Sequence, residues 1–213
     1  TVTSSQPTRS GYSFIGWNSM ADGSGTTSAA TSTFTMPAND VTVYAIWSIN
    51  AYTVYYNMNG GTGSINPQPG TYGTNVTVSS TAPTRTGFTF SGWNTLPDGT
   101  GSDHTGSGSL TIPSNNLTLY AKWTAIQYSI SYNANGGSGA PSGANYNYGQ
   151  SVTVSSTTPS RAGYTFTGWN TRCDGTGTSY AAADAFTMGA TSVELCAQWS
   201  AVSYQLIYDG NGG

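Results

Sequence analysis

The stretch Leu117-Thr118-Leu119-Tyr120-Ala121-Lys122-Trp123 decides the reading of this chain, because it returns as VTVYAIW at 41–47 and as VELCAQW at 193–199. Each copy closes on tryptophan, and Trp47, Trp123 and Trp199 stand 76 residues apart. The same interval separates Gly16-Trp17, Gly92-Trp93 and Gly168-Trp169, and also Asn59-Gly60-Gly61, Asn135-Gly136-Gly137 and Asn211-Gly212-Gly213. Three sets of landmarks with one period and no insertion define a copied unit. Alternation along the quoted stretch reads as a strand, with Leu117, Leu119, Ala121 and Trp123 on its inner face.

The residues around it are strands and turns as well. Tyr52–Tyr56 and Tyr128–Tyr132 alternate with period two, and the Asn-Gly-Gly after each supplies residues tolerant of positive φ for a tight turn. Val76-Thr77-Val78 reads as a second short strand and Phe88-Thr89-Phe90 as a third. Strict alternation would send Trp93 to the face opposite Phe90, so Gly92 is expected to form a bulge that re-aims it. No segment carries a capped 3.6-residue period, and at most a helical turn fits Ala181–Ala185. The chain is expected to be mainly β.

A unit of 76 residues has a thin core. Aromatic rings answer that problem, since each buries about 150–250 Å². The expected core is therefore Trp17, Trp47, Trp93, Trp123, Trp169 and Trp199, with Phe88 and Phe90. On the outward phase of their strands, Tyr44, Tyr55 and Tyr120 are the residues that could stack on sugars.

The phase of the copies gives the expected domain order. Tyr52–Thr124 and Tyr128–Ser200 are complete modules. Residues 1–48 form a module without its first strand, and Tyr204–Gly213 is the first strand of a following module. Three full periods would need 15 further residues, matching Ser138–Val152. Two readings are open: a window on a longer tandem array, or a subunit whose strand Tyr204, Leu206, Tyr208 completes its neighbour by β-augmentation. Either gives a linear, head-to-tail array in which one repeated rotation generates a rod or helix.

Composition excludes several classes of function. Five Lys+Arg against eight Asp+Glu in 213 residues, without a basic run, leave nothing to grip a phosphate backbone, so no nucleic acid partner is expected. No apolar run approaches the roughly 20 residues of a membrane helix, so no membrane span is expected. The 6% charge could suggest disorder, yet disordered chains are poor in aromatics and this one is 13% aromatic.

The succession YTVYYNMNGG, PTRTGFTFSGWNT, DGTG and LTLYAKW resembles the Listeria–Bacteroides repeat (the internalin B B-repeat type), and the likeness spans the whole chain. The resemblance implies compact, β-grasp-like modules of 76 residues in a linear array. It also implies a bacterial surface or secreted protein serving as stalk, spacer or adhesive segment, without enzymatic activity. One departure bears on topology: Gly99–Asn116 is rich in Gly and Ser, so loop or strand could replace the short helix of the grasp.

The search for chemistry returns little. His104 is the only histidine, and its counterparts are Ser28 and Tyr180, so it reads as a solvated loop residue. No His/Cys set has metal-ligand spacing, a Ser nucleophile would lack a base, and only one acid, Asp22/Asp98/Asp174, recurs in all three copies. No catalytic, metal or cofactor site is expected. That acid lies in Asp-Gly-Ser/Thr-Gly, where it reads as turn chemistry; the alternatives are calcium binding, for which one carboxylate per unit falls far short of the roughly six to eight oxygens needed, and an ion pair with the equally recurrent Arg9, Arg85 and Arg161. Cys173 and Cys196 replace Ala21/Pro97 and Tyr44/Tyr120 in one unit alone, and a disulfide between them fits an oxidising, extracellular setting.

The function expected is a non-enzymatic structural repeat protein, a cell-surface stalk or head-to-tail filament whose partner is itself. The alternative is an adhesin segment binding glycans or host surface proteins through exposed Tyr and Thr.

Overall fold

Runs of Tyr, Val, Thr and Trp between glycine-rich turns favour extended backbone, because branched and aromatic side chains suit a pleated surface. The computed structural model describes residues 3–212, and every regular element among them is a strand. Thr1, Val2 and Gly213, at the outer ends of the first and last segments expected above, lie outside the described residues. The chain forms two compact units, residues 3–85 with 90–123 and residues 86–89 with 124–212.

In the first unit, β1 (Tyr12–Asn18), β2 (Thr27–Ser28) and β3 (Tyr44–Ile49) make a sheet ordered β2-β1-β3. There follow β4 (Ala51–Asn57), β5 (Gln68–Thr71), β6 (Asn75–Thr77), β7 (Phe88–Asn94), β8 (Asp103–His104), β9 (Ser109–Thr111) and β10 (Leu117–Ala125). Five of these form a sheet ordered β5-β4-β10-β7-β8, and β6 pairs with β9 as a separate ribbon. The second unit repeats that plan with β11 (Gln127–Asn133), β12 (Ala144–Asn147), β13 (Ser151–Thr153), β14 (Tyr164–Asn170), β15 (Ser179–Tyr180), β16 (Ala185–Thr187) and β17 (Val193–Ala201). Its sheet runs β12-β11-β17-β14-β15, with β13 and β16 as the ribbon.

The first and last strands of each complete module lie side by side and parallel, with Val54 opposite Leu117 and Ile130 opposite Val193. The helix of a grasp fold has no counterpart among the described residues: Gly99–Asn116 holds the strands β8 and β9. Ala181–Ala185 is also not helical. Asp184 accepts the Ala181 N–H on Oδ2 at 2.7 Å, and Ala183 takes φ 66°, closing a turn instead.

The bulge expected at Gly92 is seen at its counterparts, where register shifts between Phe14 and Gly16 and between Phe166 and Gly168. Gly92 itself has φ 128°, and a Cβ there would sit 3.0 Å from the His104 carbonyl oxygen. The shift brings Phe90 and Trp93 to the same side, with ring centroids 5.1 Å apart and nearly edge-on. Trp93 is buried among Val54, Val78, Leu110, Ile112, Leu119 and Ala121. Trp169 is buried likewise with Ile130, Val152, Val154, Met188, Leu195 and Ala197. Trp123 and Trp199 are partly buried at the core margin, as is Phe90. Phe88 belongs to the second unit and packs on Tyr148, with centroids 5.5 Å apart; it opens β7 on the same face as Phe90 but lies outside the cluster around Trp93.

Candidate functional site

The first segment is a module with half its core uncovered. Phe34 and Met36 are 40% and 62% exposed, whereas their counterparts Leu110 and Ile112 are 8% and 0% exposed. Val41, Val43, Phe34 and Trp17 line an open cleft of about 250 Å³. The backbone is unfinished at the same place. Leu117–Leu119 are strand because β4 pairs with them, while the matching residues 41–43 are not strand, and β3 starts only at Tyr44. Trp17 accordingly stands half-buried, in contrast to its sealed counterparts Trp93 and Trp169.

At the far end, Tyr204, Leu206 and Tyr208 are 80%, 76% and 87% exposed. Their counterparts are Tyr52, Val54, Tyr56 and Tyr128, Ile130, Tyr132, in which Val54 and Ile130 are sealed in the two cores. The turn that follows them is already formed. Asn211 has φ 44° and its N–H donates to the Asp209 carboxylate at 2.9 Å, as the Asn59 N–H donates to Asn57 Oδ1 and the Asn135 N–H to Asn133 Oδ1. In the complete modules this turn holds the last tryptophan: Trp123 Nε1 donates to the Met58 and Asn59 carbonyls, and Trp199 Nε1 to those of Ala134 and Asn135, all at 3.1 Å. The side chain of Asn59 donates in turn to the Pro97 and Ala121 carbonyls.

The recurrent acid serves the turn. Asp98 Oδ1 accepts the Thr100 N–H at 3.0 Å and its hydroxyl at 2.8 Å, and Asp22 and Asp174 repeat this with Ser24 and Thr176. The ion-pair alternative is corrected at two of three positions. Arg9 and Arg161 lie over the rings of Tyr12 and Tyr164, 3.9 and 4.0 Å from the centroids, where a guanidinium gains a flat, weakly hydrated partner. Arg85 donates from Nη1 to the Asn59 carbonyl at 3.3 Å. The one salt bridge found among the described residues is Lys122 with Asp103, at 2.6 Å on the surface.

Hydrogen bonds to the charged form hold all three carboxyls below their ordinary value, chiefly the Ser24 hydroxyl for Asp22 and the backbone N–H groups of Thr100 and Thr176 for Asp98 and Asp174. A lowered folded value favours folding above the ordinary carboxylate range, and that contribution is lost as acid protonates the group through its lowered midpoint. NMR titration is expected to place all three midpoints below the ordinary aspartate value. Thr100→Val should raise that of Asp98 and leave the other two unmoved.

Cys173 and Cys196, 23 apart in sequence number, are joined as a disulfide that ties the loop after β14 to β17, on the face opposite Leu195 and Ala197. Closing a loop of that size contributes about 3 kcal/mol. Cys173→Ser with Cys196→Ala is expected to lower the unfolding free energy of the second unit, read by urea denaturation, by that amount and to leave the first unaltered. The two sulfurs and a Glu194 carboxylate oxygen lie within 4.8 Å of one another, but sulfurs bonded to each other leave one carboxylate, not a metal ligand set. His104 is half-buried on β8, paired across the sheet with Trp93, and not a solvated loop residue. Tyr44 and Tyr55 are exposed and Tyr120 is half-buried, while Cys196 occupies the same position as Tyr44 and Tyr120 and is buried. That position therefore offers no repeated aromatic face.

Sequence reasoning passed over Asn18, Asn94 and Asn170, which follow the three Gly-Trp pairs and are the buried polar residues of the cores. Asn94 Oδ1 accepts from Leu96 and Gly101 N–H, and Nδ2 faces the Gly99 and Gly101 carbonyls and Asp103 Oδ1 at 2.6–3.2 Å. The signal was there to find, since Gly-Trp-Asn recurs whole in every copy.

Copied modules of this kind, the two complete ones closed by their own first strands, define a tandem β-repeat protein. The family description of the Listeria-Bacteroides repeat domain fits residues 1–46, 52–122 and 128–198, and the chain belongs to that family. It is 34% identical over 216 residues to a protein of Evansella cellulosilytica named as a Gly-rich membrane protein, covering 96% of this chain and 24% of that one. A second protein of that organism, named as a membrane protein, is 35% identical over 94% of this chain and 29% of its own length. Internalin H of Listeria monocytogenes is 36% identical over 118 residues, which are 55% of this chain and 20% of that protein. The chain thus spans about a quarter of the first two relatives. Among the described residues no helix is long and apolar enough to cross a membrane.

Proposed function

We propose that this chain is a non-enzymatic structural segment of a bacterial surface protein, and that its modules assemble head to tail by strand complementation. The observation that carries the reading is the match between the uncovered core at Phe34, Val41 and Val43 and the exposed rib Tyr204, Leu206, Tyr208. Transposing the register of β4 on β10 sets Leu206 opposite Val41 and Tyr208 opposite Val43, as Val54 faces Leu117 and Tyr56 faces Leu119. The turn at Asp209–Gly212 would then offer Trp47 the two carbonyls that Trp123 uses. Main-chain pairing supplies affinity and the alternate side chains supply register. Placement outside the cell draws on the relatives named as membrane proteins and on the disulfide, which persists in oxidising surroundings.

Sedimentation velocity over rising concentration tests the assembly. The full chain is expected to form a ladder of oligomers. Chains ending at Ser200, or carrying Leu206→Lys, are expected to remain monomers. Identical sedimentation of all three would refute strand complementation.

A further inference from the structure

Each module carries a glycine before the strand that bears its Gly-Trp pair, Gly11 before β1, Gly87 before β7 and Gly163 before β14, all at φ 77–78°. Two of them are covered. In the first unit the ring of Tyr72 packs on Gly11 so closely that a Cβ there would fall among the ring carbons. Tyr72 also meets Tyr12 edge-on, at 5.9 Å between centroids. Inside the second unit the ring of Tyr148 covers Gly87 in the same way and meets Phe88 edge-on at 5.5 Å. Backbone bonds accompany each contact: Asn50 donates to the Gly11 carbonyl and accepts from the Tyr72 N–H, and Ile126 does the same between Gly87 and Tyr148, all at 2.9 Å.

At the third position the receiving half alone is present. Val202 donates to the Gly163 carbonyl at 2.9 Å. Arg161 stacks on Tyr164 as Arg9 stacks on Tyr12, yet Gly163 and Tyr164 are exposed and nothing lies within 4 Å of the Cβ position of Gly163.

We infer that Gly163, Tyr164 and Val202 form a docking socket for the Tyr-Gly loop of a further repeat module, the ring seating on Gly163 and its N–H bonding the Val202 carbonyl. The occupant is defined by what fills the same socket twice in this chain, Tyr72-Gly73 and Tyr148-Gly149. Both of those loops are already engaged, so the socket calls for a module beyond the three present. A ring on bare backbone makes the joint specific, because any side chain in place of the glycine would both collide and strain the positive φ. This inference rests on the array reading and is the alternative to strand exchange at this end of the chain, since an exchanging neighbour would lack that loop.

The test is NMR of the full chain and of the same chain with Tyr204–Gly213 replaced by a second copy of residues 128–213, so that a copy of Tyr148 follows in phase. In the original chain the Hα signals of Gly11 and Gly87 are expected well upfield, under their tyrosine rings, with that of Gly163 in the ordinary glycine range. In the extended chain Gly163 is expected to move upfield with them and to return when the added Tyr148 copy is changed to alanine. An unshifted Gly163 in the extended chain would overturn the socket, while the sedimentation behaviour of the unextended chain reports separately on strand complementation.

Discussion

Asn94→Ala is expected to cost about 3–5 kcal/mol, because it strips the loop after β7 of its acceptor and its donor and leaves backbone groups beside a sealed core without partners, at about 1–3 kcal/mol each. Leu96 and Gly101 lose the oxygen that takes their N–H groups, and Gly99 and Gly101 lose the amide that faces their carbonyls. Asn94→Asp keeps the acceptor and does no better, since it sets a carboxylate against two carbonyls and Asp103. A module that small has little stability in reserve, so both variants should melt it locally. Amide exchange read residue by residue would show protection lost through β7, β8 and β10 and kept through β14 and β17. A loss under about 1 kcal/mol would mean that the amide decorates the turn and does not hold it.

Trp93→Ala and Trp169→Ala are each expected to cost about 4 kcal/mol, the range for emptying a large aromatic site that cannot collapse. Trp17→Ala is expected to cost clearly less, although all three residues occupy one position of the repeat. The difference lies in the covering strand. Val54 and Ile130 seal the indoles of Trp93 and Trp169, whereas Trp17 borders an open cleft. Chemical denaturation of the three variants checks this. Equal losses would show that the first segment builds a complete core by another route.

Much of this fold is legible in the residues because the repeat prints its own controls. Alternation in Tyr52–Tyr56 and Leu117–Trp123 marks strands, Asn-Gly-Gly marks the turn, and Gly92 marks the bulge that turns Trp93 inward. What escapes is set by contacts distant in sequence. The parallel pairing of β4 with β10 joins residues about 63 apart in number, and no local pattern carries it. Thr31, Ser107 and Ala183 share one repeat position and all take φ of 64–70°, a left-handed turn that none of the three residue types announces. The Ala-rich segment at 181–185 follows that turn, against its helix propensity, since tertiary context overrides a weak prior. The joint at Gly11 and Gly87 was hidden for a related reason: a glycine that receives a ring looks the same in sequence as one that only bends the chain.

Cysteine trapping reads directly whether the strand at one end of this chain completes the module at the other end of its neighbour, and in which register. Ile207 should face Thr42 across the parallel pair, as Tyr55 faces Thr118. The Thr42→Cys, Ile207→Cys chain, oxidised and run without reductant, is expected to give a ladder of covalent multimers that the shifted pair Thr42→Cys, Asp209→Cys gives weakly or not at all. Monomers only from the first pair, or equal ladders from both, would contradict strand complementation in this register.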